Sequence, residues 1–341
     1  MKRPILYSLA AVLLAFALPV LLYVPGSADP APAASAPMPA QTPEASPVPT
    51  APPEPVLDAG IRLRVLTEGG METMTMAEYL PLALAGEMPA AFAPDALKAQ
   101  AVTLRSYALY YQVQPKDAHP EADVCCSAAC CAARADPEEL RERWGEQYDA
   151  YYARICAAVS ETDGQYLVWE EEPALTVFHA SSAGQTESGA ALGMPRHYLV
   201  SVDTPETEET VQDLCTDVEV TQEEFRRAVL SLAPEAALDG GAETWLGSVS
   251  QDTAGRVTGM EIGGASLSGL ALRQLFSLRS TAFTLERTEA GFVFHVRGYG
   301  HGLGMSQQGA NLMAKDGADY AAILRHYYPG TELVMALRSA G

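Results

Sequence analysis

The chain has 341 residues and a formal net charge of −21, so its overall field would repel nucleic acids and anionic membrane surfaces. Hydrophobic residues make up 48% of the sequence, which is enough for a core and excludes disorder of the whole chain. The length fits one large domain or two ordinary ones.

The first element in chain order is an apolar segment close to the N-terminus. Lys2 and Arg3 precede an apolar run from Ile5 to Val24, which is about the length needed to cross a hydrocarbon core roughly 30 Å thick. Positive charges before such a run favour an N-terminus inside the cell and the remainder outside. Residues 1–25 are therefore predicted to form a single-pass membrane anchor, or alternatively a signal sequence that is cleaved.

A segment rich in proline and alanine follows over residues 26–55. Proline fixes φ and removes a hydrogen-bond donor, so this segment is expected to be an extended linker that does not pack. The folded domain is predicted to cover residues 56–341. It would lie outside the cytoplasm, because both interpretations of the N-terminus export it.

The folded domain is expected to begin with a strand and two helices. The segment "IRLRVL" alternates apolar and polar residues, as a half-buried strand does. Thr75 and Glu78 fit a capping box that opens a helix over "MAEYLPLALAGEM", where Pro81 implies a kink or a short first segment. A second helix begins after Pro94, with an apolar stripe along one face.

The remaining predicted elements are one long helix, several short strands and two helices near the C-terminus. The long helix is predicted over residues 136–162. Strands are predicted at 164–169, 174–180, 197–203, 257–264 and 291–298, and the final helices at 306–317 and 320–328. Strands and helices segregate without a βαβ rhythm, so the predicted class is α+β, with helices and short antiparallel strands around a binding cleft.

Glu87 is an isolated carboxylate at the end of the first predicted helix. Unpaired carbonyls at a helix C-terminus and apolar neighbours both raise a carboxyl pKa, and a partly protonated carboxyl can act as the general acid of glycoside cleavage. Lys98 and Arg105 lie two turns apart on one flank of the second helix, where they would bind Glu87 or substrate oxygens. The alternative is a solvated glutamate bridged to Lys98.

A cluster of thiols follows the second helix, with four cysteines in seven positions. Thiolate and imidazole ligands suit zinc, and the residues that offer them are His119, Cys125, Cys126, Cys130 and Cys131. Outside the cell, disulfides are the competing interpretation, for example between Cys125 and Cys131. Cys156 and Cys215 would either pair with each other or remain free thiols.

A glycine-rich segment, "RGYGHGLGMSQQGA", occupies residues 297–310 and leads into a helix near Ser306. Glycines at every second position suit close approach to a ligand, or turns with positive φ. The segment lacks the third glycine of a dinucleotide-binding loop and the lysine of a phosphate-binding loop. His301 at its centre would contact a ligand, act as a base, bind a metal or brace the loop.

Ser182 lies upstream in "VFHASSAGQTESG", where a predicted strand leads into a polar turn. The nucleophile elbow of a serine hydrolase requires G-x-S-x-G, and Ala180 breaks that pattern. The turn is therefore expected to line a ligand site or to be a plain turn.

Taken together, these motifs resemble the stage II sporulation protein D family, whose members are membrane-anchored lytic transglycosylases of peptidoglycan, and the related amidase-enhancer proteins. The resemblance covers about residues 57–336 and rests on several long motifs in the same order. They are "EYLPLALAGEMP", "DALKAQAVTLRSYAL", "HPEADVC", "FHASSAGQTES", "GYGHGLGMSQQGA" and "ILRHYYPGTEL".

The resemblance implies a role for each of the residues singled out above. Glu87 matches the catalytic glutamate of the family. The residues that match substrate-binding or supporting positions of the glycan cleft are Lys98, Arg105, Ser182, Tyr198, His301, Ser306 and Gln307. Some members bind a structural zinc, whose ligands are matched by His119, Cys125, Cys131 and by Cys130, which stands where a histidine is more usual. No cofactor would be required for the chemistry.

The implied activity is cleavage of the β-1,4 bond between N-acetylmuramic acid and N-acetylglucosamine, leaving a 1,6-anhydro product. It would take place at the cell membrane, facing the intermembrane space, during engulfment in sporulation. A sporulation amidase/endopeptidase and a membrane scaffold protein are the implied partners. Two alternatives are a non-catalytic wall-binding protein that activates a partner amidase, and a zinc hydrolase centred on the cysteines.

Overall fold

The computed structural model describes residues 57–336. The predicted membrane anchor and linker lie outside these residues, as does the end of the predicted domain from residue 337 onwards. Within residues 57–336, no helix combines the length and the apolar character needed to span a membrane. The described chain is α+β, as predicted, and its helices and mainly antiparallel strands surround two hydrophobic cores.

The first core begins with a strand pair and a buried helix. The antiparallel pair consists of β1 (Arg62–Thr67) and β2 (Gly70–Thr75). The predicted capping box of Thr75 and Glu78 then opens α1 (Met76–Glu87). Helix α1 runs unbroken through Pro81, so the predicted short first segment is wrong. Most side chains of α1 are buried, and their packing outweighs the loss of the hydrogen bond that proline cannot make.

Helix α2 (Pro94–Val113) is the central element of this core and contacts α1 and the later helices. The helix predicted over residues 136–162 is two helices in the structure, α3 (Pro137–Trp144) and α4 (Tyr148–Glu161). Gly145 separates them with a φ of 50°, a value that favours glycine. The prediction of one continuous helix is therefore wrong at this residue.

Short strands and two C-terminal helices complete the first core. Strand β3 (Val124–Cys125) joins β1 in parallel, and β4 (Gln165–Trp169) lies between β5 (Glu172–Pro173) and β14 (Glu332–Met335). The helices are α7 (Gln307–Lys315) and α8 (Tyr320–Tyr327), and both lie where the sequence predicts them. Single 3-10 turns lie at Asp58–Gly60, Gly145–Gln147, Ala190–Leu192 and Ala242–Thr244.

The second core is built on two antiparallel sheets with the strand orders β11–β12–β7 and β10–β9–β8. Their strands are β7 (Cys215–Thr221), β8 (Leu246–Gln251), β9 (Val257–Ile262), β10 (Ala265–Ser268), β11 (Phe283–Arg287) and β12 (Gly291–Arg297). Two helices accompany them, α5 (Gln222–Leu232) and α6 (Gly269–Leu275). Phe225 of α5 stacks on Phe292 with ring centroids 4.0 Å apart, so aromatic packing joins helix to sheet.

Two predicted strands are reduced or absent. Of residues 174–180, only β6 (Phe178–His179) is a strand, and it pairs in parallel with β13 (Met305–Ser306). Residues 197–203 contain no strand, because hydrogen bonds to neighbouring loops replace a continuous ladder there. The β6–β13 pairing brings the predicted serine turn against the glycine-rich segment.

Candidate functional site

Glu87 ends helix α1 and is half-buried beside a loop from another part of the chain. Burial raises the pKa of its carboxyl group to about 7, while a hydrogen bond from the backbone N–H of Ala133 to Oε1 opposes the rise. The raised pKa that the sequence predicts is therefore present, with burial as its main cause. Near neutral pH the group is populated as both acid and carboxylate, as an acid that later acts as a base requires.

The loop that contacts Glu87 packs closely against α1. Ala135 donates its N–H to the carbonyl of Leu82 at 3.0 Å. A Cβ atom on Gly86 would lie 2.5 Å from the carbonyl oxygen of Ala133, so glycine is needed for this approach. The orientation of Glu87 therefore depends on the end of the helix and on loop residues 133–135 together.

Lys98 is bonded to carboxylates other than Glu87. Its Nζ lies 2.6 Å from Oε2 of Glu161 and 3.9 Å from Oδ1 of Asp95. The alternative of a solvated Glu87 bridged to Lys98 is therefore wrong, and the predicted contact of Lys98 with the acid is not formed. The ammonium group of Lys98, which was expected to bind substrate oxygens, is thus already paired with two carboxylates of the protein.

Arg105 is completely buried and forms a bidentate ion pair. Its Nε and Nη2 donate to the two carboxylate oxygens of Asp58 at 2.7 and 2.6 Å. Its Nη1 donates to the carbonyl of Gln165 at 2.8 Å. Arg105 thus joins the first turn of the described chain to α2 and β4. This placement corrects the expectation that it binds Glu87 or the substrate, because the guanidinium group is enclosed by protein.

Four side chains with metal-binding atoms converge near Glu87, and we call residues 119–135, which carry them, the metal loop. The ligand atoms of His119, Cys125, Cys130 and Cys131 all lie within 4.8 Å of one another. His119 Nδ1 lies 3.2 Å from the carbonyl of Ala122, to which it must donate, so the lone pair is on Nε2, which lies 3.2 Å from Sγ of Cys131 and could bind a metal beside it. Three thiols and one imidazole are a donor set that suits tetrahedral zinc.

The charges and thiols around the metal loop are consistent with this donor set. Lys116 Nζ donates to the carbonyl of Cys130 and lies 3.8 Å from Sγ of Cys131, where a positive charge stabilises thiolates. All six cysteines of the chain are free thiols, so the disulfide alternative within the loop is not formed. Cys156 and Cys215 are likewise unpaired with each other.

The glycine-rich segment passes close to strand β6 in conformations that few side chains adopt. Positive φ angles occur at Gly298, Gly300, Gly302 and Gly304. A Cβ atom on Gly304 would overlap the carbonyl of Val177, and one on Gly302 would overlap the guanidinium group of Arg256. The predicted turns with positive φ are confirmed, whereas the close approaches seen are to groups of the protein itself and not to a ligand.

Two serines that were expected to line a cleft are buried in a polar network. Ser182 and Ser306 have no exposed surface. Oε1 of the buried Glu206 accepts from the backbone N–H of Ser182 at 2.9 Å and from the hydroxyl of Ser306. His179 Nε2 lies 2.6 Å from Ser182 Oγ, but its Nδ1 faces a backbone carbonyl, so no catalytic triad is formed. The two serines tie the turn to the glycine-rich segment, which corrects their expected role at the substrate.

Tyr198 and Gln307 are also enclosed, with 2% and 6% of their surfaces exposed. The hydroxyl of Tyr198 accepts from the N–H of Leu175 at 2.8 Å, as a supporting residue would. Direct contact of either side chain with a substrate is therefore not supported. Glu206 was missed by sequence analysis because it lies in a polar run, "DTPETEET", that has no periodic pattern.

His301 is half-buried at the centre of the glycine-rich segment. Its Nδ1 accepts from the N–H of Leu303 at 3.0 Å, and its ring lies 5.9 Å from that of His179. Burial, together with the charges of Arg273 and Arg256, lowers the pKa of His301 to about 4. The ring is therefore neutral at pH 7, and its contact with Leu303 agrees with the predicted bracing role.

The fold and the site define an α+β protein in which a loop that brings together three thiols and one imidazole contacts a half-buried glutamate of raised pKa. The chain belongs to the stage II sporulation protein D family, as its motifs predict. The family model described as "Stage II sporulation protein" matches residues 67–169, which include Glu87 and the metal loop.

Three curated proteins illustrate the relationship. Stage II sporulation protein D of Bacillus subtilis is 31% identical over 268 residues, covering 77% of this chain and 75% of that protein. Stage II sporulation protein D of Bacillus amyloliquefaciens has the same identity and coverage. The amidase enhancer of Bacillus subtilis is 46% identical over 55 residues, which are 16% of this chain and 8% of that protein.

Proposed function

We propose that the chain is a lytic transglycosylase of peptidoglycan in which Glu87 is the catalytic acid and base. The observation that carries the proposal is a half-buried carboxyl group with a pKa of about 7, held at one oxygen by the N–H of Ala133. Such a group can give a proton near neutral pH and take one back. Membership of the stage II sporulation protein D family supports the same assignment.

The proposed reaction needs one carboxyl group. Protonated Glu87 gives its proton to the glycosidic oxygen as the bond from that oxygen to C1 of N-acetylmuramic acid breaks. The resulting carboxylate takes the proton of the C6 hydroxyl of the same sugar, and O6 forms a bond to C1. The 1,6-anhydro product results without water, and Glu87 is again protonated. Ordinary glycosidases need a second carboxylate to activate water or to attack C1.

The metal loop would have a structural part in this reaction. His119, Cys125, Cys130 and Cys131 would hold zinc, which supplies structural cross-linking when all four positions are taken by protein ligands. The chain's own contribution is the short segment from the ligands to Ala133, which donates to Glu87. The alternative of a zinc hydrolase requires an open coordination position, and this donor set would leave none.

The family and the N-terminal sequence support a proposal for the setting of the reaction. We propose a role in remodelling the cell wall during sporulation, at engulfment. The apolar segment of residues 1–25 would anchor the chain in the cell membrane, with the folded part outside the cytoplasm in the intermembrane space. A sporulation amidase/endopeptidase and a membrane scaffold protein are the proposed partners.

The proposal is tested with purified glycan strands and the full chain in detergent. Glu87→Gln should fold normally and release no 1,6-anhydro products that mass spectrometry can detect. Glu289→Gln, an exposed position in the turn between β11 and β12, is the matched control and should retain full activity. Anhydro products from Glu87→Gln at the rate of the unmodified chain would refute the proposal.

A second function is favoured by the 46% identity to the amidase enhancer over 55 residues. In that case the chain would bind glycan without cleaving it and would activate a partner amidase. The unmodified chain would then release no anhydro products, and Glu87→Gln would stimulate the amidase fully. The same two proteins therefore distinguish the two functions.

A further inference from the structure

A cavity of about 340 Å³ lies between the C-terminal end of α2 with the segment that follows it and the loop of residues 193–196. The C-terminal end of α2 supplies Tyr110 and Tyr111, the following segment supplies Lys116, and the loop after residue 192 supplies Arg196. We call this cavity the tyrosine pocket. Aromatic walls with a few convergent polar groups are typical of binding sites for small molecules and sugars.

The tyrosine pocket carries positive charge in a chain that is strongly acidic. Arg196 is exposed, and its Nη2 and Nη1 donate to neutral groups, the hydroxyl of Tyr110 at 3.0 Å and the carbonyl of Pro195 at 3.2 Å. No ion pair within 4 Å involves Arg196 among residues 57–336. A guanidinium group fixed by neutral partners retains its charge for an anion from outside.

The second cation of the pocket is already engaged by the metal loop. Lys116 Nζ donates to the hydroxyl of Tyr107 at 3.1 Å and lies 4.9 Å from the ring centroid of Tyr111. It also lies 3.8 Å from Sγ of Cys131, so part of its field acts on the thiols. Arg196 is therefore the group in the tyrosine pocket whose positive charge is available to a ligand. Asp117 also lines the pocket, and its negative charge disfavours ligands that carry more than one negative charge.

We propose that the tyrosine pocket binds a sugar that carries a single carboxylate, as the lactyl ether of N-acetylmuramic acid does. Arg196 pairs with the carboxylate through its planar fork of donors, and the tyrosine rings contact the apolar face of the pyranose. This inference rests on the proposed function for its choice of ligand, because a protein that cleaves glycan strands freed of their stem peptides meets this sugar, with its carboxylate free, at every second position of the strand.

The pocket is connected to the acid through one segment of chain. Lys116 donates to the carbonyl of Cys130 beside the tyrosine pocket, and three residues later Ala133 donates to Glu87. A sugar bound in the pocket would thus contact Lys116, which is hydrogen-bonded to the same metal loop that orients the carboxyl group. The tyrosine pocket would accordingly position a sugar some distance along the strand from the bond that is cleaved.

The test compares free N-acetylmuramic acid with N-acetylglucosamine, which has the same ring and lacks the carboxylate. The full chain in detergent is titrated with each sugar and with inorganic phosphate, and binding is followed by saturation-transfer NMR and calorimetry. N-acetylmuramic acid should bind saturably, and the other two probes at least tenfold more weakly. Equal binding of both sugars, or equally tight binding of phosphate, would overturn the proposal.

Variants locate the site and separate it from the catalytic assignment. Arg196→Ala should weaken binding of N-acetylmuramic acid at least tenfold, whereas Arg325→Ala, an exposed arginine of α8, should not change it. Melting curves monitor the folding of both variants. Unchanged sugar binding by a folded Arg196→Ala variant would refute the proposal. Glu87→Gln should bind the sugar normally while it loses glycan cleavage. Normal cleavage by the unmodified chain without sugar binding would overturn only the pocket, and sugar binding without cleavage by the unmodified chain would overturn only the catalytic assignment.

Discussion

The backbone N–H of Ala133 donates a hydrogen bond to the side chain of Glu87, joining positions that are 46 residues apart. The donor follows Cys131, the last cysteine of the metal loop, by two residues, and the acceptor ends a buried helix. One contact thus links the proposed acid, the end of α1 and the metal loop.

Stability should depend on pH through Glu87. Its pKa is raised from its ordinary value to about 7 in the folded protein, so the folded state holds more protons than the unfolded state between about pH 4.5 and 7. Stability from this group is present at low pH and is lost as pH rises through 7. Glu87→Gln imitates the protonated form, so it should be more stable than the unmodified chain at pH 8 by on the order of 2 kcal/mol.

The measurement for Glu87 is urea unfolding of both proteins at pH 5 and pH 8. The gap between them should be small at pH 5, where Glu87 is already protonated, and should widen at pH 8. A constant gap at both pH values would mean that the folded protein does not raise the pKa of Glu87.

Gly86→Ala should separate the metal loop from α1. A Cβ atom at this position meets the carbonyl of Ala133, so loop or helix must move, at a cost of about 1–3 kcal/mol. The hydrogen bond to Glu87 should lengthen, and glycan cleavage should fall more than stability alone explains. Gly60→Ala is the control, since a Cβ atom there meets nothing within 4 Å. Thermal melts and product assays are carried out on both variants. Equal melting temperatures and equal product yields for the two variants would contradict the close approach of Gly86 to Ala133.

Replacement of Arg105 should lower the free energy of unfolding much more than replacement of Lys98. Arg105→Ala leaves Asp58 as a buried charge without its partner and should cost about 3–5 kcal/mol. Lys98→Ala removes a partly exposed pair with Glu161 and should cost about 0.2–1 kcal/mol. Chemical unfolding measures both costs. If Arg105→Ala kept its stability and lost only glycan cleavage, a direct role at the substrate would have to be restored.

Cys131→Ser should remove the proposed metal. Purified chain is expected to contain one zinc ion, and the variant should contain less and melt lower by roughly 5 °C or more, equivalent to about 2 kcal/mol. Cys215→Ser changes an exposed thiol outside the metal loop and is the matched control. Metal analysis together with melting curves gives the answer. Zinc content unchanged by Cys131→Ser would exclude this residue as a ligand.

Local patterns in the sequence were sufficient for some of the regular elements. The capping box of Thr75 and Glu78, the helix that begins at Pro94 and the strand at 291–297 all follow from spacing alone. The break at Gly145 was missed because the apolar stripe continues across it, although the glycine itself was a visible signal. Strands of two residues, such as β6, leave no periodicity to detect.

Partners distant in sequence could not be predicted from periodicity. The helical rotation placed Lys98 and Arg105 on one flank correctly, but it could not reveal that Asp58, 47 residues earlier, neutralises Arg105. The donor to Glu87 was hidden in the same way, because Ala133 has no functional side chain. The four candidate metal ligands were recognisable as a group, since residues of suitable chemistry lie within thirteen positions, and the structure brings their ligand atoms together.

The distance in sequence between helix end and metal loop has a consequence for a chain that is still being synthesised. Until residues 119–135 have been synthesised, Glu87 lacks the hydrogen bond from Ala133 and the loop that packs against the end of α1, so the proposed acid would be more exposed to solvent. Glu87 would become able to act as the proposed acid only when residues 119–135 pack against the end of α1. The protein would thus be inert as a nascent or unfolded polypeptide, and the wall would be exposed to it only after folding is complete.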